Sequence, residues 1–171
     1  MGVLRFLLAL AAALLVHFVG LRLAPAFPLA VNPFVVVLAL YALRGGPLVG
    51  LGAGVAIGLV EDALSGGLFG LYGCADTVVG FAVATVAQRV VIERAAGVFL
   101  AATAASAAQQ AILIALQLLL FADAEVPPFL WVVVRALACG LLAAAWYAGS
   151  GQWRRRLGAW RRHRGSRLHF Q

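Results

Sequence analysis

The chain has 171 residues, 64% of them hydrophobic and 11% charged, with a mean hydropathy of +1.02. A soluble domain of this size carries roughly 25% charged residues, so composition excludes a water-soluble fold and points to a single domain dissolved in a bilayer. The net charge of +7 comes from thirteen arginines, seven of which (Arg154, Arg155, Arg156, Arg161, Arg162, Arg164 and Arg167) crowd the last eighteen residues. A basic run beside a hydrophobic helix marks the cytoplasmic face, where anionic lipid attracts it, in preference to a nucleic-acid surface.

In chain order, Leu4 to Leu23 is apolar enough for a first spanning helix. It resembles a signal sequence, but the chain stays hydrophobic beyond it. Leu21-Arg22-Leu23-Ala24-Pro25 is also a poor small-residue cleavage site, so an uncleaved helix is expected. Pro25 and Pro28 mark a loop, and Asn32-Pro33 reads as an N-cap followed by proline at the first helical position. The second helix, Pro33 to Leu43, rises only about 17 Å against a hydrocarbon core of about 30 Å. Either it begins earlier, near Phe27, or it does not span alone. Pro47 opens a third helix ending near Asp62, and Gly66, Gly67, Gly70 and Gly73 punctuate the next connection. A fourth helix is expected from Tyr72 to Val91, and a fifth within Ala95 to Ala122. A sixth is opened by Pro127-Pro128 and reaches Ser150. The expected architecture is an all-α integral membrane protein, a compact bundle of about six transmembrane helices over 1–150, followed by a cytoplasmic arginine-rich tail over 151–171.

Six spans put both termini on one side. With the tail in the cytoplasm, Arg5, Arg44, Arg89, Arg94 and the seven tail arginines are inside and Arg22 alone is outside, a strong positive-inside bias. The outer fifth-to-sixth connection is acidic, with Asp123 and Glu125. Tyr72 and Trp131 suit the outer boundary, and Tyr41, Trp146, Tyr147 and Trp153 the inner one.

Gly50, Gly54 and Gly58 share one face of the third helix and permit close backbone approach. Ala136, Gly140 and Ala144 form a similar series on the sixth, and Ala101, Ala105 and Ala108 one on the fifth. Internal packing is the expected use, with a partner's membrane helix as the rival. Arg135 falls roughly 10 Å into the sixth helix, where an isolated charge costs at least about 2.5–3.5 kcal/mol. Asp62 and Asp76 lie at matching depth, so a structural ion pair between Arg135 and Asp62 or Asp76 is expected, while Glu61 can reach water. A transport or proton-relay role is the alternative. Gln110 and Gln117, seven apart, are expected to bond across helices. Cys74 and Cys139 read as buried small hydrophobes, and His17 as a hydrogen-bonded buried imidazole.

No catalytic or metal-binding pattern is legible, and no cofactor is expected. Ser65 lacks the glycine at Ala63 that a nucleophile elbow requires. There is no phosphate-binding loop and no zinc-type histidine motif. The segment 65–73 reads as a tight outer turn.

The run Gly58-Leu59-Val60-Glu61-Asp62-Ala63-Leu64-Ser65-Gly66-Gly67-Leu68-Phe69-Gly70-Leu71 resembles the rod shape-determining protein MreD family. The family pattern there is a glycine-rich helix, an aspartate, a Leu-Ser-Gly turn and a further Gly-Leu or Gly-Val, and Asp62, Ser65, Gly66 and Gly70 match it in place. The helix ending Tyr41-Ala42-Leu43-Arg44, the chain length, the six spans and the basic C-terminus are also similar. Family members often carry a polar residue just after the second-helix proline, whereas here Phe34 follows and Asn32 precedes; Glu61 and Asp76 are additional. The resemblance implies a non-catalytic inner-membrane subunit of the cell-elongation machinery. It would partner MreC and work with the MreB filament and the peptidoglycan synthase complex. It also implies a fold similar to the substrate-binding subunits of energy-coupling-factor vitamin transporters, which supplies an alternative function as a transport subunit.

Overall fold

The computed structural model describes residues 3–90, 94–121 and 127–165, with side chains as far as Ser150. Regular structure among them is entirely helical: α1 (Val3–Leu23), α2 (Phe27–Ala30), α3 (Pro33–Gly45), α4 (Pro47–Ser65), α5 (Leu71–Arg89), α6 (Ala95–Leu120) and α7 (Phe129–Gly165). Six segments are long and apolar enough to cross a membrane, with α2 and α3 together forming one of them, Phe27–Gly45. The chain is therefore a multi-pass membrane protein. Asp123 and Glu125, and the side chains of Trp153 and the tail arginines, lie outside the described residues.

The second span is a broken helix. Its chain is already helical at Phe27, becomes extended at Val31 and Asn32, and resumes at Pro33. Proline explains the break: Pro33 has no N–H to continue the ladder, and its ring pushes the preceding residue out of the helical region. Asn32, at φ −114° and ψ 100°, then caps α3 through its side chain. At thirteen residues α3 is only about 20 Å long, yet it occupies the middle of the bundle. It packs against α1, α4, α5, α6 and α7, with Phe34, Val35, Leu38, Ala39 and Ala42 buried. Irregular backbone at membrane depth is tolerated when neighbouring helices cover it, and that cover is present here. By contrast, α1 buries only Ala13 and Gly20 and lies at the periphery against α2 and α3.

The tightest helix pair is α4 with α5. A Cβ added at Gly50 would strike the Gly80 carbonyl, one at Gly54 the Asp76 carbonyl, and one at Gly58 the Tyr72 carbonyl at 2.5 Å. The small-residue stripe thus sets backbone against backbone, which gives van der Waals contact where lipid offers no hydrophobic driving force. Gly140 on α7 makes room for α6 side chains as well as backbone, an added Cβ striking the Thr103 hydroxyl and lying 3.0 Å from the Phe99 carbonyl. Ala105 is buried in the core, and Ala101, Ala105 and Ala108 border a groove between α5 and α6. The last helix runs on past Ser150 to Gly165 without a break, so the expected boundary at 150 is one of composition within a continuous helix.

Gly52, on the other face of α4, has nothing within 4 Å of an added Cβ. Gly54→Val should therefore destabilise the bundle by about 1–3 kcal/mol through overpacking, while Gly52→Val leaves it nearly unchanged. Paired thermal melts in detergent test this; equal melting points would mean that the α4–α5 contact carries little of the stability.

Candidate polar cavity and buried network

Two polar constructions lie at one end of the bundle, where α1 and α4 finish and α5 and α7 begin. The first is the α4–α5 turn. Gly66 ends α4 in the left-handed region (φ +63°) and Gly70 precedes α5 at φ +108°, conformations that glycine adopts without steric cost. Asp62 spans this turn from the last helical stretch of α4. Its Oδ1 accepts from the Tyr72 amide and its Oδ2 from the Gly73 amide, each at 2.9 Å. Those are second- and third-position N–H groups of α5, which have no partner inside their own helix. A carboxylate there satisfies both and meets the positive end of the helix dipole. Ser65 Oγ donates to the Asp62 carbonyl at 3.0 Å and accepts from the Gly67 amide at 3.5 Å. Asp62, Ser65, Gly66 and Gly70 therefore belong to one structural unit.

The second construction is a hydrogen-bonded chain through the core. Asn32 Oδ1 accepts from the Phe34 and Val35 amides at 2.9 and 3.4 Å, and Asn32 Nδ2 donates to Gln109 Oε1 at 3.3 Å. Gln109 Nε2 in turn donates to Glu61 Oε2 at 2.9 Å and to Asp76 Oδ1 at 2.6 Å. An amide nitrogen carries two hydrogens, so one glutamine can hold a carboxylate from α4 and another from α5. Cys139 of α7 closes the arrangement, its Sγ 3.4 Å from the Asn32 amide and 3.5 Å from the Asn32 carbonyl. Asn32, Glu61, Asp76 and Gln109 are all buried, and Asp76 Oδ2 has no hydrogen-bond partner.

Beside this chain is a cavity of about 350 Å³ bordered by α1, the α2–α3 break, α4, α5 and α7, with His17, Asn32, Glu61, Tyr72 and Arg135 among its walls. Its size falls at the lower end of the roughly 300–1,000 Å³ typical of small-molecule sites.

Several expectations are corrected by this geometry. Arg135 makes no hydrogen bond or ion pair with Asp62 or Asp76: both Asp62 oxygens are taken by α5 amides, and Asp76 points inward to Gln109. Its Nε is buried without an acceptor. Glu61 is only 6% exposed and is the carboxylate that shares the cavity with Arg135. The imidazole of His17 has no hydrogen bond; it packs by its ring against Phe34 and Phe18, at 5.5 and 5.9 Å between centroids. Cys74 is exposed on the bundle surface, whereas Cys139 is buried. Gln110 does reach across helices, donating to the Val132 carbonyl of α7 at 3.3 Å, but Gln117 joins no side-chain hydrogen bond. The hub is Gln109, which no motif singled out; its only sequence signal was polarity within an otherwise apolar helix.

Among the described residues no three His, Cys, Asp or Glu side chains are grouped to hold a metal ion. The cavity sets the side chains of His17, Tyr72 and Arg135 beside the buried hydrogen-bonded network. Searches against family models, curated proteins and solved structures returned no match to this chain.

Double-mutant cycles on thermal stability distinguish the bonds present from those expected. Arg135→Leu with Asp62→Asn should be additive to within about 0.5 kcal/mol. Gln109→Leu with Asp76→Ala should show coupling of about 0.6 kcal/mol or more, the average for hydrogen bonds between membrane helices being about 0.6 and the maximum about 1.7 kcal/mol. Coupling in the first cycle and none in the second would reverse the assignment.

Proposed function

We propose that this chain is a non-catalytic subunit of the bacterial cell-elongation machinery, of the MreD type. In this reading it binds MreC and supports peptidoglycan synthesis alongside MreB. The observation that carries the reading is the segment resembling the family motif. Its matching residues form a single unit in which Asp62 holds the start of α5 across a Ser65–Gly66 turn. That is a structural use of an aspartate and a serine, in keeping with a scaffold. Placement in the inner membrane with both termini cytoplasmic is part of the proposal and rests on the distribution of arginine. The polar end of the bundle then faces outward, toward MreC's periplasmic domain.

Orientation has a direct test. In intact cells an impermeant thiol reagent should label Leu68→Cys, in the exposed α4–α5 turn, and leave Arg161→Cys untouched, in a background without Cys74 and Cys139. The opposite pattern would invert the topology.

A second reading is favoured by the cavity: a substrate-binding subunit of a vitamin-type transporter, with the energy-coupling-factor-like fold that the resemblance also implies. Co-expression separates the two. The elongation reading expects this protein to co-elute from detergent with the MreC of the same genome and to bind no vitamin. Failure to co-elute, together with tight vitamin binding, would select the transport reading.

A further inference from the structure

We propose that the cavity bordered by α1, the α2–α3 break, α4, α5 and α7 is a binding site for a phosphate ester, presented by the headgroup of a membrane phospholipid. Arg135 lines this cavity with a buried Nε that has no acceptor in the protein. Neither aspartate at its depth bonds to it: Asp62 gives both oxygens to the start of α5, and Asp76 accepts from Gln109 through Oδ1 and leaves Oδ2 without a partner. A guanidinium inside a membrane span is costly without a counter-ion or water, and its planar donors match phosphate oxygens two at a time. Tyr72 and His17 stand on the same walls with a hydroxyl and an imidazole that make no hydrogen bond within the protein, so three donors converge on one space.

The apolar part of the lining favours a lipid as the source. Leu21, Leu29 and Leu64 border the cavity and are at the same time 38%, 46% and 36% exposed on the bundle surface. A headgroup can thus enter while its acyl chains stay outside against these leucines. Glu61 on the same wall bonds inward to Gln109; its charge sets a repulsive limit on the affinity for an anion. The inference does not depend on the elongation reading, and failure to bind MreC leaves it intact.

The test uses the full-length protein, delipidated in neutral detergent, with native mass spectrometry of bound dioleoylphosphatidylglycerol and a parallel titration with inorganic phosphate. The wild-type protein should retain the lipid. Arg135→Gln should weaken binding about tenfold or more, the loss expected for one charge-assisted contact, with partial recovery in Arg135→Lys. Tyr72→Phe, which removes only a hydroxyl, should weaken it by a smaller factor and keeps the proposal testable if Arg135→Gln misfolds. Glu61→Gln should tighten binding. Arg89→Gln, on an exposed arginine at the other end of α5, should change nothing. Saturable binding of inorganic phosphate with the same Arg135 dependence, without lipid retention, would keep the phosphate site but overturn the lipid source. Equal retention of a neutral glycolipid, or an Arg89→Gln loss matching that of Arg135→Gln, would overturn the proposal.

Discussion

A helix broken inside a bilayer leaves amide and carbonyl groups that water cannot reach, and each such group left unpaired costs several kcal/mol. The second span has such a break at Val31 and Asn32, and much of the bundle is organised around it. Asn32 takes the first free amides of α3 on its own side-chain oxygen, and its backbone N–H and C=O both meet the Cys139 sulfur. Its side-chain nitrogen finds an acceptor on Gln109. Gln109 extends the chain to a carboxylate on α4 and another on α5. The break thereby ties α3, α4, α5, α6 and α7 together, leaving α1 as the peripheral helix.

That network can form only because the backbones come close. Gly50, Gly54 and Gly58 let α4 lie directly on the α5 carbonyls, which brings Glu61 and Asp76 onto one glutamine. Small residues and polar side chains are cooperative here. The glycines supply proximity, and the amide makes proximity of two acidic groups tolerable. Either would be a liability alone: a glycine stripe without a partner exposes backbone to lipid, and two buried carboxylates without donors are stranded.

Much of the frame was legible in the sequence, because it is set by properties that act along one dimension. Hydropathy located the six spans. Pro33 and the preceding Asn32 announced the capped start of α3, the arithmetic of length flagged the second helix as too short, and glycine spacing marked the packing face of α4. The site was less legible, for a reason that Arg135 makes plain. Rise per residue placed it at the depth of Asp62 and Asp76, but depth says nothing of azimuth. Asp62 turned out to face the start of α5 and Asp76 the interior. Gln109 was passed over in favour of Gln110 and Gln117 because periodicity grouped the latter two. The choice between neighbours separated by 100° of helix rotation depends on the roll of α6 against the rest of the bundle. Cys74 shows the same limit, since an apolar sequence context does not distinguish a core-facing position from a lipid-facing one.

The two ends of the bundle have been built differently. At the end carrying the 66–70 turn, helix starts are capped by side chains, carboxylates are held by an amide, and a cavity is left between α1 and the core. Around the other half of α3 the packing is by Leu38, Ala39, Val79, Val98, Ala102 and Ala143, and Arg44 lies 5.5 Å over the Tyr147 ring. Glu61 shares the cavity with Arg135 while its Oε2 accepts from Gln109, the same amide that holds Asp76. The acidic groups nearest Arg135 are thus held by α5 amides and by Gln109, and Arg135 keeps a buried Nε that no acceptor of the protein meets.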